Sequence, residues 1–139
     1  PFGFAGRLFR SEADALLVQV GIADQAERAA AHLAYGDLKR LELAMALTNK
    51  PRLLLMDEPT AGMAPAERTG LMALTRRLAT ARGLAVPFTE HDMDVVFEHA
   101  DRIIVLERGV IAEEGRHEQL MAHGGRYAEM FELQAASYR

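Results

Sequence analysis

Four apolar residues, Leu53, Leu54, Leu55 and Met56, run without a polar break into two adjacent carboxylates, Asp57 and Glu58. A run with no polar alternation suits a strand buried on both faces of a parallel sheet. The acids then emerge at its C-terminal edge, where α/β proteins place ligands. Two neighbouring carboxylates repel one another, so chemistry at this pair calls for a nearby cation. The plainer alternative is a short apolar strand ending in solvated acids. A second candidate is His91, in Thr89-Glu90-His91-Asp92, which closes another apolar run. An imidazole just past a strand end can donate a hydrogen bond to a phosphate or hold a water. A lone histidine is more often structural than catalytic. His32, His99, His117 and His123 lack ligand-type spacing with carboxylates on one helix face and are read as surface or partly packed.

The elements that must position these groups follow from periodicity and punctuation. Ser11-Glu12-Ala13-Asp14 has the form of a capping box and predicts a helix start, with Leu16, Leu17 and Val20 on its apolar side and Gly21 as its stop. A short helical segment is expected after Asp24. Leu33-Ala34-Tyr35-Gly36-Asp37 reads as a loop entering a helix over 37–49, which Pro51 bars from continuing. Pro65 suits the first turn of a helix running to Arg82, and Gly83 ends it before the run from Leu84 to Thr89. Strand, helix, strand is a parallel crossover, so the class is α/β. Pro87 lacks a ladder donor, which interrupts the second strand or places it less centrally. A short helix with Val95, Val96 and His99 is expected next. Strands over 102–106 and 110–113 follow, turning at Arg108-Gly109, and then helices separated by Gly124-Gly125.

Composition bounds the function. With 139 residues, half of them hydrophobic, one domain with a real core is expected. A net charge of −4 disfavours nonspecific nucleic-acid binding. The absence of cysteine excludes disulfides and thiolate metal sites and is compatible with a reducing compartment, the cytosol being the default. No apolar stretch approaches the roughly 18 to 20 residues of a membrane helix, and no signal peptide is expected, so a membrane role would come through a partner.

Three motifs in this order, Leu33 to Asp37, the strand ending in Asp57-Glu58, and Glu90-His91-Asp92, resemble the second half of the nucleotide-binding domain of ABC-type ATPases, from about Ser11 onward. The resemblance implies a P-loop NTPase-like fold, incomplete, with parallel core strands and part of a helical subdomain. It divides the chain into residues 1–50 (helical subdomain with the signature loop), 51–115 (RecA-like core with Walker B, D-loop and switch histidine) and 116–139 (C-terminal helices). It implies ATP and Mg²⁺ as cofactors, with Asp57 on the metal, Glu58 as general base and His91 at the γ-phosphate. Leu33, Ala34, Tyr35, Gly36 and Asp37 would be the signature loop that lays backbone N–H groups against phosphate held by a second subunit. Gly62 and Met63, in Ala61-Gly62-Met63-Ala64, would be the D-loop at that interface. Lys39 and Arg40 are read as a solvated helix face.

The chain departs from the family pattern in several places. Only Leu33 and Gly36 match the common Leu-Ser-Gly-Gly-Gln form, Asp37 brings a negative charge to the loop, and Ala64 stands where the D-loop usually has Asp. No Gly-x-x-x-x-Gly-Lys-Ser/Thr occurs, and Lys39 and Lys50, the only lysines, do not follow a glycine-rich turn. The chain is therefore expected to be the C-terminal portion of a larger domain, binding ATP weakly, if at all, when isolated. Tyr35 and the stretch from Glu90 to Asp94 look like branched-chain amino acid importers, whereas the segment from Ile111 to Leu120 and that from Gly125 to Glu129 look like exporters. The expected partners are transmembrane permease subunits and a second ATPase subunit, head to tail, on the cytoplasmic face of the membrane. The alternatives are an exporter domain fragment, a non-hydrolytic interaction module or a soluble ATPase of this type.

Overall fold

A computed structural model describes residues 3–137, in two compact units that meet in the chain between Thr89 and Glu90. The first unit carries helices α1 (Gly3–Val20), α2 (Tyr35–Leu47) and α3 (Pro65–Arg82) and strands β1 (Met56–Asp57) and β2 (Phe88–Thr89). β1 and β2 pair in parallel, Met56 opposite Phe88 and Asp57 opposite Thr89, and α3 forms the crossover between them. Helix α3 starts at Pro65 and ends at Gly83 in the left-handed region, both as the sequence predicts.

Pro87 splits the ladder. Ala85 both donates to the Arg52 carbonyl at 3.1 Å and accepts from the Leu54 amide at 2.9 Å, forming an isolated bridge opposite Leu53. Two residues on, Pro87 accepts from the Met56 amide at 3.0 Å but has no N–H to return to the Leu54 carbonyl. One rung is missing, and the regular strand resumes only at Phe88.

The expectation of a strand buried on both faces is corrected: Leu53 and Leu55 are 54% and 72% exposed, while Leu54 packs against the core. That core lies on one side of the ladder, built from Leu43 and Leu47 of α2, Leu71, Leu74 and Leu78 of α3, and Val20 and Ile22 at the end of α1. Burial alternates along the run, with Leu54 and Met56 half-buried between the exposed Leu53, Leu55 and Asp57.

Two helix boundaries also differ from expectation. Helix α1 is already under way at Gly3, so Ser11-Glu12-Ala13-Asp14 lies inside it; no proline between them interrupts the helix. Helix α2 begins at Tyr35, because Ala34 takes an extended backbone and its carbonyl accepts from Leu38 N at 2.9 Å.

Arginines tie the helices together. The Arg40 guanidinium donates to the Val20 carbonyl at 2.9 Å, and Arg82 donates to the Leu47 carbonyl at 3.5 Å and to Gln19 Oε1 at 2.5 Å. Each places a cation at the negative end of the preceding helix and satisfies a terminal carbonyl.

The second unit contains α4 (Met93–His99), strands β3 (Ile103–Glu107) and β4 (Val110–Gly115), α5 (His117–His123) and α6 (Arg126–Ser137). β3 and β4 form an antiparallel hairpin through Arg108 and Gly109, both at positive φ as a tight two-residue turn requires. Met93, Ile103, Val105, Leu120 and Tyr127 make its core. Glu113 on β4 accepts from the Arg126 amide and, at 3.1 Å, from the Tyr127 amide, capping the start of α6. A Cβ on Gly125 would collide with that carboxylate. The His117 Nδ1 and the Tyr127 hydroxyl are 2.8 Å apart, with the imidazole set against Phe97 and Phe131. This agrees with the partly packed histidine expected there.

Candidate functional site at the end of the parallel strands

The parallel register brings Asp57 level with Thr89, at the C-terminal end of both strands. Thr89 Oγ1 donates to Asp57 Oδ1 at 2.5 Å, and the Glu58 amide donates to both Thr89 Oγ1 and Thr89 O at 3.1 Å. Glu58 has φ +41°, an uncommon conformation for a side-chain-bearing residue, as the chain leaves the strand. Both carboxylates are exposed, and Pro59 and Thr60 behind them are buried. The Ala61 amide then bonds back to the Glu58 carbonyl at 3.1 Å, closing a turn.

That turn continues through Gly62 and Met63. Gly62 has φ +73°, which favours glycine, and the Tyr35 ring lies where its Cβ would come into contact. The Tyr35 hydroxyl donates to the Ala61 carbonyl at 3.1 Å. The Met63 side chain is buried in the core, its amide donates to the Thr60 carbonyl at 3.2 Å, and its carbonyl accepts from Arg68 Nε at 2.8 Å. Gly36 is buried, and a Cβ there would stand 2.9 Å from the Glu67 carboxylate, which itself accepts from the Ala64 amide at 3.2 Å. The first turns of α2 and α3 are thus packed on each other.

Within the segment from Leu33 to Asp37, Leu33 is half-buried and extended, Ala34 and Tyr35 are exposed, and Asp37 sits in the first turn of α2. A carboxylate there is stabilised by the positive end of the helix. Ala34 has no side-chain acceptor for the first-turn N–H groups.

Lys39 and Arg40 are not the solvated face that the sequence suggests. Lys39 pairs with Glu42 at 3.0 Å and lies 5.5 Å from the centre of the Tyr35 ring, and hydrogen bonding to Glu42 raises its pKa above the usual lysine value. Arg40 is partly buried against the end of α1. Neighbouring residues on a helix point about 100° apart: Arg40 turns toward the end of α1, while Lys39 lies beside the Tyr35 ring one turn earlier on the same helix. Asp57 lines a groove of about 200 Å³ together with Lys39, Glu42, Leu43, Leu54, Met56 and Leu71.

The structure brings Asp57, Glu58, Tyr35, Gly36 and Gly62 into one unit together with Thr89, which sequence reading did not single out as a site residue. Its signal was the register: a hydroxyl residue opposite Asp57 on the neighbouring parallel strand. His91 belongs to the second unit, where it is exposed and directly precedes Asp92. Asp92 is buried and caps α4, its Oδ1 accepting from Asp94 N at 3.1 Å and Val95 N at 3.4 Å.

Among the described residues, no group of three or more His, Cys, Asp or Glu side chains could hold a metal unaided. The donor set at Asp57 instead suits a hard cation such as Mg²⁺, which commonly takes one or two protein carboxylates and fills its remaining positions with water and substrate phosphate. No described helix is long and apolar enough to cross a membrane.

Comparison with known proteins adds the following. Residues 8–61, which include the segment from Leu33 to Asp37 and both acids, match the ABC transporter family model. The chain is 38% identical over 117 residues to the high-affinity branched-chain amino acid transport ATP-binding protein BraF of Pseudomonas aeruginosa, covering 80% of this chain and 46% of that protein. It is 34% identical over 127 residues to the methionine import ATP-binding protein MetN 1 of Pseudomonas fluorescens, covering 88% of this chain and 38% of that one. The ADP conformation of MJ1267, an ATP-binding cassette of an ABC transporter, superposes with a TM-score of 0.76 at 28% identity, over 87% of this chain and 48% of that one. A bacterial Atm1-family ABC exporter with ATP bound superposes with a TM-score of 0.73 at 28% identity, over 91% of this chain and 24% of that one. The chain therefore spans less than half the length of these relatives.

Proposed function

We propose that this chain, which belongs to the ABC transporter ATP-binding family, supplies the hydrolytic acids and the signature loop of an ATPase that drives branched-chain amino acid import through transmembrane permease subunits. The observation that carries this reading is the pair Asp57 and Glu58 at the C-terminal end of two parallel strands, with Tyr35 bonded to the turn just beyond them.

In this reading the Asp57 carboxylate would hold Mg²⁺ and Glu58 would accept the proton of the attacking water. When bound with nucleotide, the ion neutralises phosphate charge. His91 donates a hydrogen bond to the γ-phosphate. The first-turn N–H groups of α2, introduced by Leu33, Ala34, Tyr35, Gly36 and Asp37, face phosphate held by a second subunit arranged head to tail. Gly62 and Met63 line that interface. The protein acts at the cytoplasmic face of the membrane as a peripheral subunit, with no role for nucleic acid.

The substrate assignment is favoured by identity, 38% to BraF against 34% to MetN 1, and by Tyr35 in the signature loop. The exporter reading has the likeness to the Atm1-family exporter in its favour. The tail segments that suggest export have a local explanation: Glu113 caps α6, and Gln119 Oε1 accepts from the Arg116 amide at 3.0 Å to cap α5. Helix caps serve the fold whichever way cargo moves.

The test is ATP hydrolysis by this chain alone and by a polypeptide in which a phosphate-binding glycine loop precedes it. Turnover in the longer protein, lowered by about 10²- to 10⁴-fold in Glu58→Gln, is the expected result. Absence of turnover in both would favour a non-hydrolytic interaction module.

A further inference from the structure

Resting on the assignment of Asp57 and Glu58 above, we propose that Thr89 is the positioning residue for both acids. Its hydroxyl has one proton to give and two lone pairs to offer. It gives the proton to Asp57 Oδ1 at 2.5 Å and accepts from the Glu58 amide at 3.1 Å. One side-chain oxygen therefore fixes the rotamer of the first carboxylate and the backbone of the second. With Oδ1 committed to Thr89, Asp57 presents its other oxygen to whatever it binds. Ligating carboxylates are commonly oriented by such hydrogen bonds from beyond the ligand shell.

The Glu58 backbone needs the support. A side-chain-bearing residue at φ +41° sits in the unfavourable left-handed region, and such a conformation persists where neighbours over-determine it. Both acceptors of the Glu58 amide belong to Thr89, its carbonyl and its hydroxyl. The ladder has already lost a rung at Pro87, two residues upstream on the same strand. The Thr89 hydroxyl adds a link between the strands at the end where the acids stand.

A bland reading competes, since threonine is a good strand former and suits an exposed strand position without any role. Valine separates the two readings, being as good a strand former with the same shape and no hydroxyl. The experiment is heteronuclear NMR on the full chain and its Thr89→Val, Thr89→Ala and Thr89→Ser variants. In the hydroxyl-free variants the Asp57 ¹³Cγ and Glu58 amide resonances should move, while Thr89→Ser keeps both near their native positions and the Leu54 and Met56 amides stay protected throughout. Native positions for both resonances in Thr89→Val or Thr89→Ala would overturn the proposal. So would loss of folding in both of these while Thr89→Ser folds, which would make the role structural.

Titration with Mn²⁺ alone gives a second readout. The midpoint for paramagnetic broadening at Asp57 should rise about 10-fold in Thr89→Val and stay unchanged in Thr89→Ser. Equal midpoints in all variants would overturn the link to cation binding. Absence of broadening at Asp57 in the native chain would instead count against Asp57 as a cation ligand, and the two resonances would still decide the role of Thr89.

Discussion

The Tyr35 hydroxyl donates to the Ala61 carbonyl at 3.1 Å across 26 positions of sequence, joining the start of α2 to the turn that follows the two acids. The ring also lies against Gly62, and Gly36 beside it packs on Glu67 of α3. Tyr35→Phe keeps the ring and deletes the bond, which is worth about 1 kcal/mol. Hydrogen exchange should quicken at the Ala61 and Met63 amides, both bonded within this turn, and stay unchanged in the β3–β4 hairpin. Gly62→Ala should destabilise further, by about 1 to 2 kcal/mol for a side chain held at φ +73°.

Removing the Glu58 carboxylate tests the catalytic assignment. In a hydrolytically competent protein containing this chain, Glu58→Gln should lower turnover by about 10²- to 10⁴-fold, the usual weight of a positioned acid–base group. Nucleotide affinity should change little, because the side chain keeps its shape. Turnover and nucleotide binding measured side by side check this, and equal losses in both would point to a folding role.

Arg40 should matter more than an exposed cation. Its guanidinium reaches the Val20 carbonyl, close by Gly21 and Gly70, and Arg40→Met leaves that partly buried oxygen without its charged donor. The expected cost is about 1.5 to 3 kcal/mol, read as a lower urea midpoint with an unchanged slope. Arg40→Lys should recover only part of it, because an ammonium cannot reproduce the planar fork.

Alkaline pH gives a sign-specific test in the second unit. Burial pushes the Tyr127 phenol above its ordinary value of 10.0, and nearby Glu118 adds to the shift. A raised folded-state value favours the neutral phenol in the fold. The contribution is therefore fully present below about pH 10 and is lost as pH rises through the folded-state value, since the unfolded chain ionises first. Stability of this unit measured across that range should decline, and Tyr127→Phe should flatten the decline.

Much of the fold was legible because its punctuation is strong. Pro65 and Gly83 bound α3 at both ends, and Arg108-Gly109 marks the hairpin turn. The start of α1 was misread because Ser11-Glu12-Ala13-Asp14 has the composition of a helix entry, and only the uninterrupted residues before it show that it is not one. Leu53 and Leu55 were expected to be buried because an unbroken apolar run specifies hydrophobicity, whereas burial depends on what lies across the sheet. Lys39 and Arg40 were misplaced for a related reason: a helix face does not announce its neighbour. At the candidate site, Asp57 and Glu58 stand at a strand end as the sequence suggested. The hydroxyl between them escaped notice, because strand register links residues 32 positions apart that no local pattern connects.

The bonds from Arg40 to Val20 and from Arg82 to Leu47 end on main-chain oxygens. Any residue at the receiving positions supplies the same oxygen, so Val20 and Leu47 answer to the shape of the interior and not to the cation that grips them. The donors have no such latitude. Substitution should therefore drift freely among apolar side chains at the two gripped positions while the two arginines hold still, and correlated change between donor and receiver is not expected.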